Sequence, residues 1–270
     1  MGRALPLIHI AGRTIARGVP VFVIAECGSS HVGQLDFALE MIDRAADAGA
    51  DAAKFQMFRV DRLPRLHESA RPFELPYDWL PELKERCDDD EIAFLCTAFD
   101  ADSLCSVDPF VEAHKISSTE ACDPGWTQTV ISTGKPVLWS EGYKRAPDDP
   151  NIVPLVCRPE YPADRRDYLI FVGADGTCDM NDPGGVIPRG VWGVSDHTLD
   201  PTLVPLMAVA MGASVIEKHV TLGDRSAGSP DQVVAIDFAA FGAMVVRIRE
   251  AQDVVGRQST PYFPRGCRHR

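Results

Sequence analysis

Eight short runs of largely apolar residues recur along the chain, at 21–28, 51–58, 92–98, 111–117, 136–140, 151–157, 191–195 and 214–220. A run that is apolar at nearly every position, not at every second one, reads as a strand buried on both faces. Segments with apolar residues at helical spacing separate several of these runs, most clearly at 35–48, 76–87, 201–211 and 237–255. Doubly buried strands alternating with amphipathic helices imply a parallel sheet covered by helices, and eight of them in about 250 residues imply a TIM (β/α)8 barrel of the α/β class.

Two connections are poor in helix. Only "GYKRAPDDPN" (142–151) joins the fifth run to the sixth, too short for a helix with its loops, and 158–190 is rich in Pro, Gly and Asp. The barrel is therefore expected to lack normal helices after strands 5 and 6. Ahead of it, "LIHIAGRTIARG" (7–18) alternates apolar and polar residues around Ala11-Gly12, the pattern of a β-hairpin. The chain thus divides into a hairpin extension (1–20), a catalytic barrel (21–256) and a tail (257–270). "AGADAAKFQ" (48–56) and "MGASVIEKH" (211–219) form a partial repeat that aligns Lys54 with Glu217 and Gln56 with His219. Duplication and generic helix-to-strand loop chemistry explain it equally well.

A net charge of -12 argues against a nucleic-acid or anionic-lipid partner, since either needs a basic face. No apolar run approaches the roughly 18 residues of a membrane span, and the first residues lack a signal-peptide apolar region, so a cytoplasmic location is expected. The eight cysteines, at 27, 87, 96, 105, 122, 157, 178 and 267, contain no C-x-x-C pair. Buried free thiols are expected from them, not a disulfide frame or a zinc site.

In a barrel of this kind chemistry sits at the C-terminal ends of the strands. Those ends supply Glu26, Lys54 with Gln56, Thr97 with Asp100, Lys115 with Ser117 and Ser118, Glu141, Ser195-Asp196-His197, and Glu217-Lys218-His219. Side chains alternate along a strand, so Lys54 shares a face with Gln56, Lys115 with Ser117, Ser195 with His197, and Glu217 with His219. His197 and His219 then lie at matching heights on neighbouring strands, where two imidazoles beside Glu26 or Glu217 suit a divalent metal with open positions. A hydrogen-bonded core histidine is the plain alternative for either one alone. Two lysines among Thr97, Ser118 and Ser195 suit a phosphate and a carboxylate, with structural ion pairing as the alternative. His9, His67, His114 and His269 lack such a setting and are read as structural or surface residues. Alternation points Lys218 away from the pocket.

"VFVIAECGSSHVGQLDFALEMIDRAADAGADAAKFQMF", "FLCTAFD", "HKISSTE", "YP" at 161–162, "WGVSDHTLDPTLVPLMAVAMGASVIEKHVTL" and "AGSPDQ" together resemble the N-acetylneuraminate (sialic acid) synthase family over residues 8 to 256. The resemblance implies a barrel that condenses phosphoenolpyruvate with the open-chain aldehyde of an N-acylated amino sugar, aided by Mn2+ or Mg2+. It makes His197 and His219 the metal ligands, and Lys54, Thr97, Lys115, Ser118 and Ser195 the donor's contacts. Glu26 and Glu217 face the metal and the reacting carbons, while Tyr161 and Asp231 lie toward the acceptor. The product is a 2-keto-3-deoxy acid plus phosphate.

The chain departs from the family pattern at several points. Ser30 replaces the usual Asn, Ser117 and Thr119 replace glycines, Pro159 stands where an Asn contacts the donor, Gln232 replaces a common His, and "SEG" replaces "STG" after the fifth strand. Family members also continue into a small antifreeze-like domain that supplies an acceptor-binding arginine and part of a homodimer contact. The sequence printed here stops before one, with a basic "RGCRHR" (265–270) that reads as a frayed end or a substitute. An unusual aldehyde acceptor and a homodimer are expected. Two alternatives stand beside this reading: a 3-deoxy-octulosonate-phosphate-type synthase with a phosphosugar acceptor met by Arg59, Arg62 or Arg158, and a non-catalytic barrel acting as a binding or scaffold subunit.

Overall fold

The structure is a computed structural model and describes residues 7–63, 65–171 and 190–256. The chain begins with a hairpin of β1 (Ile8–Ile10) and β2 (Arg13–Ile15), paired antiparallel with Ile8 opposite Ile15. Its turn is made by Ala11 and Gly12, both at positive φ (48° and 71°), as a two-residue hairpin turn requires.

Eight parallel strands follow: β3 (Phe22–Gly28), β4 (Ala52–Met57), β5 (Ala93–Ala98), β6 (His114–Ile116), β7 (Val137–Ser140), β8 (Ile152–Cys157), β9 (Gly193–Asp196) and β10 (Val215–Thr221). Apart from β5 and β6, each pairs with its neighbour in chain order, and β10 closes onto β3. β5 and β6 lie side by side without a hydrogen-bonded ladder, so the barrel is nearly closed. A two-residue β11 (Ile236–Asp237) adds to β10.

All four expected helices are present, as α1 (Leu35–Asp47), α2 (Leu80–Asp89), α5 (Leu203–Ala210) and α6 (Phe238–Gly256). Two short ones join them: α3 (Ala101–Val107), whose first turn is capped by Asp100, and α4 (Pro124–Ile131), capped by Asp123. No helix lies between β7 and β8, as the short connection dictated. After β8 a 3-10 helix covers Arg165–Phe171, and 172–189 falls outside the described residues, as does the tail 257–270 with His269.

The core is layered by strand parity. Phe22, Ile24, Ala52, Ala93, Leu95, Leu138, Val153, Leu155 and Val215 point into the barrel and pack with Ile8, Ile10 and Ile15 of the hairpin, which plugs the floor. The same faces continue upward as Glu26, Lys54, Thr97, Ser140, Ser195 and Glu217, so the apolar stack gives way to a polar layer at the C-terminal ends. The outward faces of β3, β4, β5 and β9 pack on α1, α2, α5 and α6. The uniform apolarity of the runs comes from these two burials.

Six described cysteines are free, and four of them are buried as expected. Cys105 and Cys122 are instead exposed, because they sit in α3 and in the turn before α4, on the solvent side. Cys178 and Cys267 lie outside the described residues. Among the described residues no helix is long and apolar enough to cross a membrane.

Candidate active site

A pocket of about 110 Å³ opens at the C-terminal ends of the strands. It gathers Glu26, Lys54, Gln56, Thr97, Lys115, Ser118, Tyr161, Ser195, His197, Glu217 and His219, all named from the sequence. Asp231 lies behind His219, with its Oδ1 3.7 Å from His219 Nδ1. Strand register does the gathering: Glu26 stands opposite both Lys54 and His219, Gln56 opposite Thr97, and Glu217 opposite Ser195.

Four charges form one buried network. Lys54 Nζ lies 2.5 Å from Glu26 Oε2 and 3.5 Å from Glu217 Oε2, and donates to Thr97 Oγ1 at 3.2 Å. Lys115 Nζ donates to Ser140 Oγ at 2.7 Å and lies 3.7 Å from Glu217 Oε1, which also accepts from Ser195 Oγ at 2.8 Å. Gln56 Nε2 donates to Glu26 Oε1 at 2.7 Å. Burial raises the Glu26 carboxyl above its ordinary value, with Lys54 opposing and Glu217 adding to the rise. Burial would do the same to Glu217, but Lys115 and Lys54 outweigh it and hold that carboxyl below its ordinary value. Lys54 is held above its ordinary value because Glu217 and Glu26 overcome its burial, whereas at Lys115 burial prevails and the ammonium is lowered. Two carboxylates that share Lys54 are thus pushed in opposite directions.

The two histidines converge as their matched heights predicted, with ring centroids 5.4 Å apart. His197 Nδ1 lies 2.5 Å from the Arg158 carbonyl oxygen, which can only accept, so Nδ1 carries the proton and Nε2 presents a lone pair. Burial, and then His219, depress the His197 pKa to about 3 and keep it neutral. Both Nε2 atoms approach a single oxygen, the Tyr161 hydroxyl, at 3.4 and 3.1 Å. Tyr161 is 42% exposed, yet its hydroxyl is tucked between the rings, where desolvation and then Asp231 raise its pKa far above the ordinary phenol value. Two imidazoles whose Nε2 atoms converge on one oxygen-sized position fit a divalent metal by donor type and direction. Among the described residues no group of three or more His, Cys, Asp or Glu side chains is arranged to hold a metal.

Several strand-end readings change. Ser140, not Glu141, enters the pocket: Glu141 turns out to accept from Ala146 N at 2.8 Å, because β7 stops at Ser140 and a step of one residue reverses the face. Asp100 caps α3 through Ser103 N. Gln232 donates to the Gly223 carbonyl at 3.2 Å and is not part of the pocket wall. Ser117, Thr119 and Pro159 do line the pocket. Ser117 Oγ donates to Glu120, which is paired with Arg65, so the departure from glycine builds an Arg65–Glu120–Ser117 chain along one wall. None of Arg59, Arg62 or Arg158 lines the pocket: Arg59 donates to the Phe58 carbonyl and stacks on Tyr77, Arg62 pairs with Asp102, and Arg158 donates to the Asp167 carbonyl. His67 caps a 3-10 turn, His114 pairs with Asp108 and His9 approaches Thr14, as structural residues would.

Lys218 has a partner after all. On the outer face of the sheet its Nζ lies 2.8 Å from Asp196 Oδ2, both residues at 0% exposure, and it also donates to the Thr198 carbonyl. Lys218 and Asp196 are register partners, and each immediately precedes one of the paired histidines. Asp231 accepts from Ser29 N at 2.9 Å and Ser29 Oγ at 2.8 Å. Gly28 (φ +51°) permits this, since a Cβ there would stand 2.3 Å from Asp231 Oδ2. His31, fully buried beside Trp79 at a centroid distance of 5.6 Å, leaves its Nε2 without a hydrogen bond, and burial lowers its pKa to about 4.

A nearly closed parallel barrel with a lysine–carboxylate network and paired histidines at its C-terminal mouth is the framework of an α/β-barrel enzyme. The chain belongs to the NeuB family, matched over residues 41–260. It is 33% identical to the spore coat polysaccharide biosynthesis protein SpsE of Bacillus subtilis, covering 90% of this chain and 71% of that protein. It is 31% identical to a pseudaminic acid synthase of Campylobacter jejuni, covering 87% and 75%. The sialic acid synthetase of Leptospira borgpetersenii, solved with citrate, superposes with a TM-score of 0.79 at 29% identity over 93% of this chain and 90% of that one.

Proposed function

We propose that the chain condenses phosphoenolpyruvate with a sugar-like aldehyde, an N-acylated amino sugar in its open-chain form, to give a 2-keto-3-deoxy acid and phosphate. The observation that carries this reading is Glu217 with Lys54 and Lys115 at 3.5 and 3.7 Å, a buried carboxylate that holds two ammonium groups side by side. With Thr97, Ser118, Ser140 and Ser195 around them, these cations form a cradle for a small molecule that bears both a phosphate and a carboxylate. The named synthases among the relatives support the same chemistry.

In the reaction a bond forms between C3 of the enol and the acceptor's carbonyl carbon, whose oxygen takes a proton. Water adds to the electron-poor C2 and gives up a proton, and the C2–O bond to phosphate then breaks to leave the ketone. Glu217, kept ionised by the lysines, maintains the cradle throughout. Glu26, raised by burial, is the group suited to take the proton of the attacking water, and Gln56 fixes its orientation. His197 and His219 would hold a divalent cation, Mn2+ or Mg2+, whose contribution when bound is to polarise the acceptor's carbonyl. Tyr161 then orients the acceptor at the mouth.

Phosphate release from phosphoenolpyruvate across a panel of aldehydes, with and without Mn2+, tests the reading. Release that requires both an aldehyde and the cation is expected. No release with any aldehyde, together with no metal bound to the protein, overturns it.

A further inference from the structure

We infer that the acceptor carries an apolar substituent of about three to five carbons, received by a second pocket beside the polar one. This rests on the reading of the polar pocket above. The second pocket, about 120 Å³, has Phe58, Leu63, Leu66 and Ala70 of the connection between β4 and α2 as its apolar wall, completed by Phe99 just after β5 and by Pro230. It shares Gln56 and Phe99 with the polar pocket, so the two abut.

Three observations favour a ligand group over a packing flaw. Phe58, Leu63 and Ala70 belong to a small apolar cluster separate from the main core, so the void lies where the chain assembled a dedicated set of side chains around it. Its polar lining is confined to Gln56, shared with the polar pocket, Ser29 and Arg65. Arg65 is anchored by Glu120 and lies 5.9 Å over the Phe99 ring, so its charge is already matched and does not call for an anionic ligand. An amide or ester carbonyl at the Gln56 edge with an alkyl tail inside satisfies both parts.

The size follows from the volume. An engineered apolar cavity of about 150 Å³ takes benzene and stays dry, so about 120 Å³ suits a slightly smaller hydrocarbon group. Each buried methylene is then expected to tighten binding by about fourfold until the space is filled.

The test uses the full chain and three probes, the N-acetyl, N-butanoyl and N-octanoyl derivatives of mannosamine. Their binding is read by calorimetry in the presence of phosphoenolpyruvate, and their KM by phosphate release. From acetyl to butanoyl, two methylenes longer, the affinity should rise roughly 15-fold, and octanoyl should gain nothing further. Ala70→Phe, which fills the void, should erase the butanoyl-to-acetyl ratio. Leu66→Ala, which enlarges it, should move the optimum toward octanoyl, so the idea is tested even if one variant fails to fold. An equal affinity for acetyl and butanoyl in the unaltered protein, or a ratio that Ala70→Phe leaves in place, overturns the inference, as does no binding of any probe. A flat series with phosphate release sinks the second pocket alone. Chain-length-dependent binding without release sinks the proposed reaction alone.

Discussion

Replacing Lys218 by Met probes the buried ion pair behind the two histidines. The ammonium and the Asp196 carboxylate are 2.8 Å apart at 0% exposure, with no solvent to replace either partner. Removing the lysine leaves Asp196 with Thr198 N and Thr198 Oγ1, at 2.9 and 3.2 Å, as its remaining donors. Burial already raises the Asp196 carboxyl, and Lys218 is the first group that opposes the rise, so the stranded acid must protonate or stay charged at a cost. Breaking such a pair from one side costs about 3–5 kcal/mol, a large share of the roughly 5–15 kcal/mol that holds a domain folded. For a domain of this size it corresponds to a fall in Tm of about 6–20 °C. The pair also ties β9 to β10 one residue before each histidine, so catalytic turnover should fall even at temperatures where the variant remains folded. The discriminating measurement is urea unfolding of Lys218→Met, Asp196→Leu and the double variant. The double variant should recover most of the loss, since an apolar pair of similar volume carries no desolvation cost. A single variant that loses less than about 1 kcal/mol, or a double variant no better than the single ones, would refute the reasoning.

Two further outcomes follow from the site. His31 is depressed to about 4 by burial, so between its unfolded value of 6.5 and about 4 the unfolded chain holds a proton that the folded chain does not. Stability is therefore complete above pH 6.5 and falls on acidification, by about 2 kcal/mol at pH 5 from this residue; His31→Phe should flatten the slope of urea stability against pH, and an unchanged slope would count against the assignment. Ser140→Ala removes the hydroxyl that holds Lys115, a hydrogen bond to a charged group worth about 1.5–3 kcal/mol. The KM for phosphoenolpyruvate should rise about tenfold or more with a smaller effect on the acceptor KM, and equal changes in both would remove Ser140 from the donor side.

The barrel and its polar layer were legible because burial on two faces leaves a continuous apolar run, and the polar residue that ends each run marks the open end. Parity then paired Glu217 with His219 and Ser195 with His197, as found. The same rule could have found the Lys218–Asp196 pair, since both residues have the outward parity on neighbouring strands. Ser140 was missed because the end of β7 had to be known to one residue before a face could be assigned. Helices α3 and α4, of seven and eight residues, are too short for periodicity to show, although Asp100 and Asp123-Pro124 are capping signals that would have announced them. The second pocket had no sequence signature, because tertiary closure brings its walls together from the β4–α2 connection, Ser29, Phe99 and Pro230.

The hairpin under the barrel makes the catalytic chamber a blind alley. With Ile8, Ile10 and Ile15 packed against the inward apolar layer, the described residues fill that end of the barrel, and the pocket with Lys54, Lys115 and Tyr161 lies at the other. On the proposed reaction, donor and acceptor then approach from the same side. Ordered binding, read from product-inhibition kinetics, is the expected outcome.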